Sequence, residues 1–174
     1  MTELTKQIIA TAPIRSRVAF ALGAAGMVLD ALKQDKDGYA LASDALDLAW
    51  KWEEGQPVAG ASLAEYIDSD TSKDLGTREL DYDDQSMISA LIAITMAIAY
   101  AARKAYEAAG ENVMPSPIWE VADDSILEVV SRASAVPGFD EKRLERMAKV
   151  ILTSGNEGIS KLGTSITRQC VLEA

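Results

Sequence analysis

The sequence predicts an all-α fold, a single-domain bundle of about six or seven helices around a central apolar helix at about residues 85–108. Three observations predict it. The apolar fraction of 48% rests mainly on Ala, Leu, Ile and Val, with only 6% aromatic residues, a mixture that suits close-packed helices better than sheets. Apolar residues recur at spacings of three and four along much of the chain. One run, Gln85 to Ala102, carries no charge over eighteen positions. A chain of 174 residues buries roughly 70% of the surface its unfolded form exposes, so it can hold a core without disulfides or metals.

The elements follow in order. Pro13 stands where a helix can begin, and Ile14, Val18, Leu22, Ala25, Leu29 and Leu32 extend the period, predicting a helix over 13–34. Gly23 and Gly26 lie inside it at a cost of roughly 1 kcal/mol each relative to Ala, so another helix is expected to cross closely there. The next helix runs from Tyr39 to Glu54 and stops at Gly55. Leu41, Ala45, Leu48 and Trp52 form one apolar stripe on it; Tyr39, Ala42, Leu46 and Trp50 form a second, leaving Asp44, Asp47, Lys51 and Glu54 for the solvent arc. Trp50 and Trp52 point about 200° apart, so either the helix is covered on two sides or Trp50 is an anchor awaiting a partner.

Ser62 and Glu65 read as a capping box for a short helix near 63–68. The polar stretch that follows, through Asp84, has no sustained apolar period and reads as a long loop. Asp83 and Asp84 then mark the start of the uncharged helix. That run is close to membrane-spanning length, but its alanines, its Ser, Thr and Gln residues and its amphipathic continuation through Arg103, Lys104, Tyr106 and Glu107 favour a core helix, with no membrane partner. Pro115-Ser116-Pro117 opens a short helical segment with Ile118, Trp119 and Val121; Ser125 with Glu128 caps another helix; Val136-Pro137-Gly138 breaks it. Asp140 caps the last long helix, where Leu144, Met147, Ala148, Ile151 and Leu152 face inward and Gly155 ends the run. The domain is thus expected over 1–155, with 156–174 as a docked or frayed extension.

Composition narrows the function. The single cysteine, Cys170, excludes an internal disulfide and fits a reducing compartment. The N-terminal MTELTKQIIATAP is too polar for a secretory signal, so the expected location is the cytoplasm. The complete absence of histidine removes the usual general base, the Ser-His and Cys-His nucleophile pairs and the commonest metal ligand. Asp68, Asp70, Ser72 and Glu79 match part of a calcium-loop spacing, but Lys73 occupies the position that requires glycine. Asp123-Asp124 and the acids at 81–84 are paired carboxylates without a phosphate-cradling glycine loop, and read as helix caps. No catalytic residue, metal or cofactor is expected.

The clearest signal is where the charge lies. From Asp30 to Asp84 there are fifteen acids and five bases, and outside that window twelve of each, so the net charge of −10 belongs to this third of the chain. Such a surface attracts a basic partner and repels nucleic acid, or serves only solubility. Asp47, Trp50, Glu54, Asp68, Asp70, Asp74, Glu79, Asp81, Asp83 and Asp84 are the candidate partner-binding residues.

Three segments carry a resemblance: Arg17-Val-Ala-Phe-Ala-Leu, Ala45-Leu-Asp-Leu-Ala-Trp-Lys-Trp-Glu-Glu-Gly55, and Ala97-Ile-Ala-Tyr-Ala-Ala-Arg-Lys-Ala-Tyr106. Together they resemble the sixth-numbered immunity family of bacterial polymorphic-toxin systems, over roughly residues 15 to 150. The resemblance implies a helical, non-enzymatic cytoplasmic protein that blocks a toxin delivered by the same or a neighbouring cell. Its acidic third could then occlude a basic cleft in a toxin that attacks nucleic acid or nucleotides. A different reading is a bundle enclosing a small apolar ligand near Met87, Met96 and Met114, with its pocket inside the bundle.

Overall fold

The computed structural model describes residues 2–154 and 168–172. Its helices are α1 (Thr2–Thr11), α2 (Ile14–Gly26), α3 (Lys36–Glu53), α4 (Gly60–Ala64), α5 (Gln85–Ala109), α6 (Ser116–Trp119), α7 (Ser125–Ser134), α8 (Glu141–Ser154) and α9 (Arg168–Leu172), with 3-10 segments at Leu29–Leu32 and Gly76–Asp81. There is no strand among the described residues. Six of these helices, α1, α2, α3, α5, α7 and α8, run ten residues or longer. The all-α bundle expected from the sequence is the fold observed.

α5 is its axis. Asp84 caps it, accepting hydrogen bonds from the Ser86 and Met87 amides at 2.7 and 3.3 Å, and Gly110 at φ +74° ends it in a left-handed turn that disfavours a side chain. α2, α3, α4, α6, α7 and both 3-10 segments pack against it. By length and composition α5 could cross a membrane, yet 61% of its most apolar window is buried inside the bundle. The cover is incomplete on one stripe, where Ile88, Ile92, Thr95, Met96 and Arg103 recur at helical spacing and remain half-buried.

The helix enclosed on all sides is instead α2, in which every residue from Val18 to Ala25 is buried. It has α3, α5 and α7 as neighbours and also α8 and α9, and its small residues let them approach. A Cβ at Gly23 would run into Met147 Sδ and stand 2.7 Å from Val171 Cγ1, which is the close crossing expected there. Gly26 differs: nothing lies within 4 Å of its missing Cβ, so no crossing explains it. It ends α2, and the helix expected over 13–34 is therefore two pieces, with Leu29–Leu32 as a 3-10 turn.

Other starts and stops differ locally. Thr2–Thr11 is a helix that no cap or long apolar period announces; it buries Thr5 and Ile8, and α7 and α8 pack on it. α4 begins at Gly60 without a side-chain cap, so Ser62 and Glu65 form no capping box. Gly60 is fixed there by contact, since a Cβ would stand 2.6 Å from Tyr106 Cδ2. Ser125 lies inside α7 rather than capping it, its Oγ accepting from the Ala122 amide at 3.1 Å, while Glu128 pairs with Arg132 at 2.6 Å. Asp140 does cap α8, accepting from the Arg143 amide at 2.9 Å. Of the C-terminal extension, α9 is docked, with Val171 buried; Gly155 and the residues up to 167 lie outside the described ones.

Candidate functional site

The acidic third of the chain folds into α3, α4 and the segment 67–84 that leads into α5. That segment is tied down rather than loose. Asp35, at the N-cap of α3, accepts from the Gly38 amide at 2.9 Å, from Arg78 Nη1 at 2.9 Å and from the Tyr82 hydroxyl at 2.7 Å. The Gly38 amide, then the Tyr82 hydroxyl and the Arg78 guanidinium, hold the Asp35 carboxyl below its ordinary pKa, against its own partial burial. Burial and the hydrogen bond to Asp35 push Tyr82 up to about 12. One carboxylate thus staples the segment to α3 through its one arginine. Sequence spacing gave no hint of this, because the partners are 43 and 47 residues away.

The nine acids among the ten predicted site residues separate into two places. Asp47 and Glu54 stand at the C-terminal half of α3 beside α9, where Asp47 forms an ion pair with Arg168 and Glu54 Oε1 accepts from the Arg168 amide at 3.2 Å. The remaining acids lie along the segment 67–84, where Asp81, Asp83 and Asp84 share a groove with Asp35 at the other end of α3, whose two caps, Asp35 and Glu54, are about 28 Å apart at roughly 1.5 Å of rise per residue. Trp50 belongs to neither group: it is 3% exposed and Trp52 5%, so both indoles lie in the core. The anchor reading of Trp50 gives way to a helix covered on two sides, since α2, α4, α5 and the Leu29–Leu32 turn all pack against α3.

Within the segment the acids have different duties. Asp74 accepts from the Gly76 and Thr77 amides at 2.7 and 3.3 Å and shapes the turn, and Asp84 caps α5. Asp68, Asp70, Asp81 and Asp83 are exposed and have no ion pair among the described residues. Glu79 sits in the 3-10 segment Gly76–Asp81, and its side chain lies outside the described ones. Asp81, Asp83, Asp84, Asp35 and Tyr82 line a shallow groove of about 560 Å³.

A second cluster was hidden in the sequence. Asp123, read there as a cap, accepts instead from Lys104 Nζ at 3.0 Å, Arg17 Nη1 at 2.5 Å and the Tyr100 hydroxyl at 2.9 Å. Lys104, 7% exposed, also pairs with Glu107 at 2.9 Å, and Glu107 with Arg103 at 2.8 Å. Burial pushes the Asp123 and Glu107 carboxyls up, but Lys104 with Tyr100 at the first, and Arg103 with Lys104 at the second, outweigh it and hold both below their ordinary values. Burial pushes the Tyr100 hydroxyl up. Arg17, Tyr100, Arg103 and Lys104 come from the resemblance segments, so those segments converge on a network that locks α2 and α5 to the turn before α7.

That turn displays the third indole. Ile118 is buried and Trp119, about 100° further round the four-residue α6, is 58% exposed. The Arg103 guanidinium sits 5.8 Å from the Trp119 ring centroid and donates to the Trp119 carbonyl at 2.7 Å and to the Val121 carbonyl. Beside it a groove of about 320 Å³ is lined by Ile67, Thr95, Met96, Ala99, Pro117, Glu120, Val121 and Ser125. A third groove, of about 530 Å³, lies where Thr5, Leu127, Val130 and Glu141 meet. All three grooves include exposed residues, whereas the small-ligand reading expects a pocket within the bundle.

No curated protein and no solved structure matches the chain. A family model described as immunity protein Imm6 matches residues 16–136, 121 of the 174, a span that begins just before Arg17 and contains the staple, the Asp123 network, the acidic segment and the Trp119 turn. The chain belongs to the Imm6 family of immunity proteins.

Proposed function

We propose that this chain neutralises its cognate toxin in the bacterial cytoplasm by binding it, not by catalysis, and that the exposed aspartates of segment 67–84 cover a basic active-site cleft. The observation that carries this reading is the state of the four acids. Asp68, Asp70, Asp81 and Asp83 are exposed and without ion pairs among the described residues, on a backbone held by Asp35, Asp74 and Asp84. A preset patch of unneutralised charge raises the encounter rate with a cationic surface and loses little entropy on docking. A toxin acting on nucleic acid or nucleotides presents such a surface.

The test is a titration. The toxin encoded beside this gene is assayed with increasing amounts of the chain, and its activity is expected to fall linearly to zero at one equivalent. Activity that persists at large excess overturns the proposal.

A further inference from the structure

Charge steers partners together but seldom holds them, and the acidic segment presents, among its described residues, a single large exposed apolar side chain, Leu80, with which to hold one. The uncovered stripe of α5 adds a groove in which an apolar side chain can be enclosed. Met96 and Ala99 of α5 line the groove beside Trp119 together with Ile67 and Val121, and half-buried Met96 leaves apolar surface open on a helix whose other sides are packed. Trp119 stands at its edge, and Arg103, clamped by Glu107 and by two carbonyls, fixes both the indole and the turn that bears it. An exposed tryptophan held rigidly beside an apolar groove has the composition and preorganisation of a binding hot spot.

The rim states the chemistry of the occupant. Glu120 lines the groove, and Asp68 and Asp124, both exposed and without ion pairs among the described residues, adjoin the lining residues Ile67 and Ser125. The acidic segment begins at this groove, at Ile67, and ends at Asp84, the N-cap of α5, about 18 Å from Met96 along that helix at roughly 1.5 Å of rise per residue. An acidic rim opposes a second copy of a chain whose net charge is −10, and favours an apolar side chain flanked by lysines or arginines.

We propose that the groove between α5, α6 and Ile67 is the retaining half of the toxin interface, taking an apolar side chain of the toxin that basic residues flank, with Trp119 as the anchor beside it. This rests on the toxin-binding reading above; the acids set the rate of arrival and the groove the lifetime of the complex.

The experiment measures association and dissociation of the full chain with the toxin encoded beside its gene, for wild type, Trp119→Ala and Glu120→Lys, with melting curves of each free chain. Dissociation is expected to rise at least about 30-fold for Trp119→Ala and several-fold for Glu120→Lys, with melting temperatures and low-salt association of Trp119→Ala near wild type. Tight binding by wild type with unchanged dissociation in both variants overturns the groove and leaves the toxin reading standing. Failure of wild type to bind overturns the toxin reading itself. Sedimentation of the free chain adds a third outcome: a wild-type dimer that Trp119→Ala splits into monomers gives the groove to a second copy and overturns the proposal.

Discussion

Trp50 and Trp52 leave α3 in directions about 200° apart and both are buried, because helices pack on more than one side of α3. Trp50→Ala is therefore expected to remove about 3–5 kcal/mol of stability, a melting loss on the order of 10 °C for a chain of this size, with toxin dissociation unchanged. Thermal denaturation beside binding kinetics checks it; intact stability with faster dissociation contradicts it. The network around half-buried Asp123 makes a pH prediction. Asp123 and Glu107 titrate below their unfolded values, so their stabilisation is complete above about pH 5, past the unfolded carboxylate range, and is lost as pH falls through their lowered folded values. Asp123→Asn is expected to cost about 2 kcal/mol at neutral pH, less than a fully buried pair because the carboxylate side chain keeps 39% exposure. It should also flatten the fall of the urea midpoint between pH 5 and 3. A variant with the wild-type slope contradicts this assignment. Which tryptophan faces solvent was not legible in the sequence. The helical wheel leaves Trp50 ambiguous until its neighbours are placed, and Trp119 is exposed because Ile118 takes the one buried face of a four-residue helix.

At the scale of elements, the long helices were legible because their signals are local. Asp84 caps α5, Gly110 stops it, Asp140 caps α8, and the three- and four-residue apolar spacing runs between. Starts set by distant contact were not legible: Gly60 opens α4 against Tyr106, and the expected box at Ser62 and Glu65 does not form. The Asp35 staple, whose partners lie more than 40 residues away, escapes any local pattern for the same reason. Gly23 and Gly26 give an element-scale test, since both look alike in sequence. Gly23→Ala forces Met147 and Val171 aside and is expected to lose about 1–3 kcal/mol despite better helix propensity; Gly26→Ala meets open space and is expected to be neutral or to gain up to about 1 kcal/mol. Urea unfolding of the two variants measures the contrast. Equal effects would mean that α8 and α9 do not cross α2 closely at Gly23.

For the whole molecule, the sequence shows how its charge is segregated and the fold shows how the segregated acids are used. Fifteen acids and five bases from Asp30 to Asp84 are legible by counting. Folding then gives those acids different work: Asp35 staples, Asp74 shapes a turn, Asp84 caps α5, Asp47, Asp30 and Glu65 pair with Arg168, Lys33 and Lys73, and Asp68, Asp70, Asp81 and Asp83 of the segment 67–84 stay bare. The stapled backbone beneath the bare charges lowers the entropy that ordering the segment would cost on docking, which supports a binding role for the acids over solubility alone. The most direct measurement follows toxin activity as the chain is added, at low and high salt, for wild type and for the quadruple variant Asp68→Lys, Asp70→Lys, Asp81→Lys and Asp83→Lys. The wild type is expected to abolish activity at one equivalent, and the variant, with an unchanged melting curve, to associate about tenfold or more slowly at low salt, the gap closing at high salt. Toxin activity that persists at large excess of wild type contradicts neutralisation by binding, and a variant that associates as fast as wild type at low salt contradicts the role of the acids.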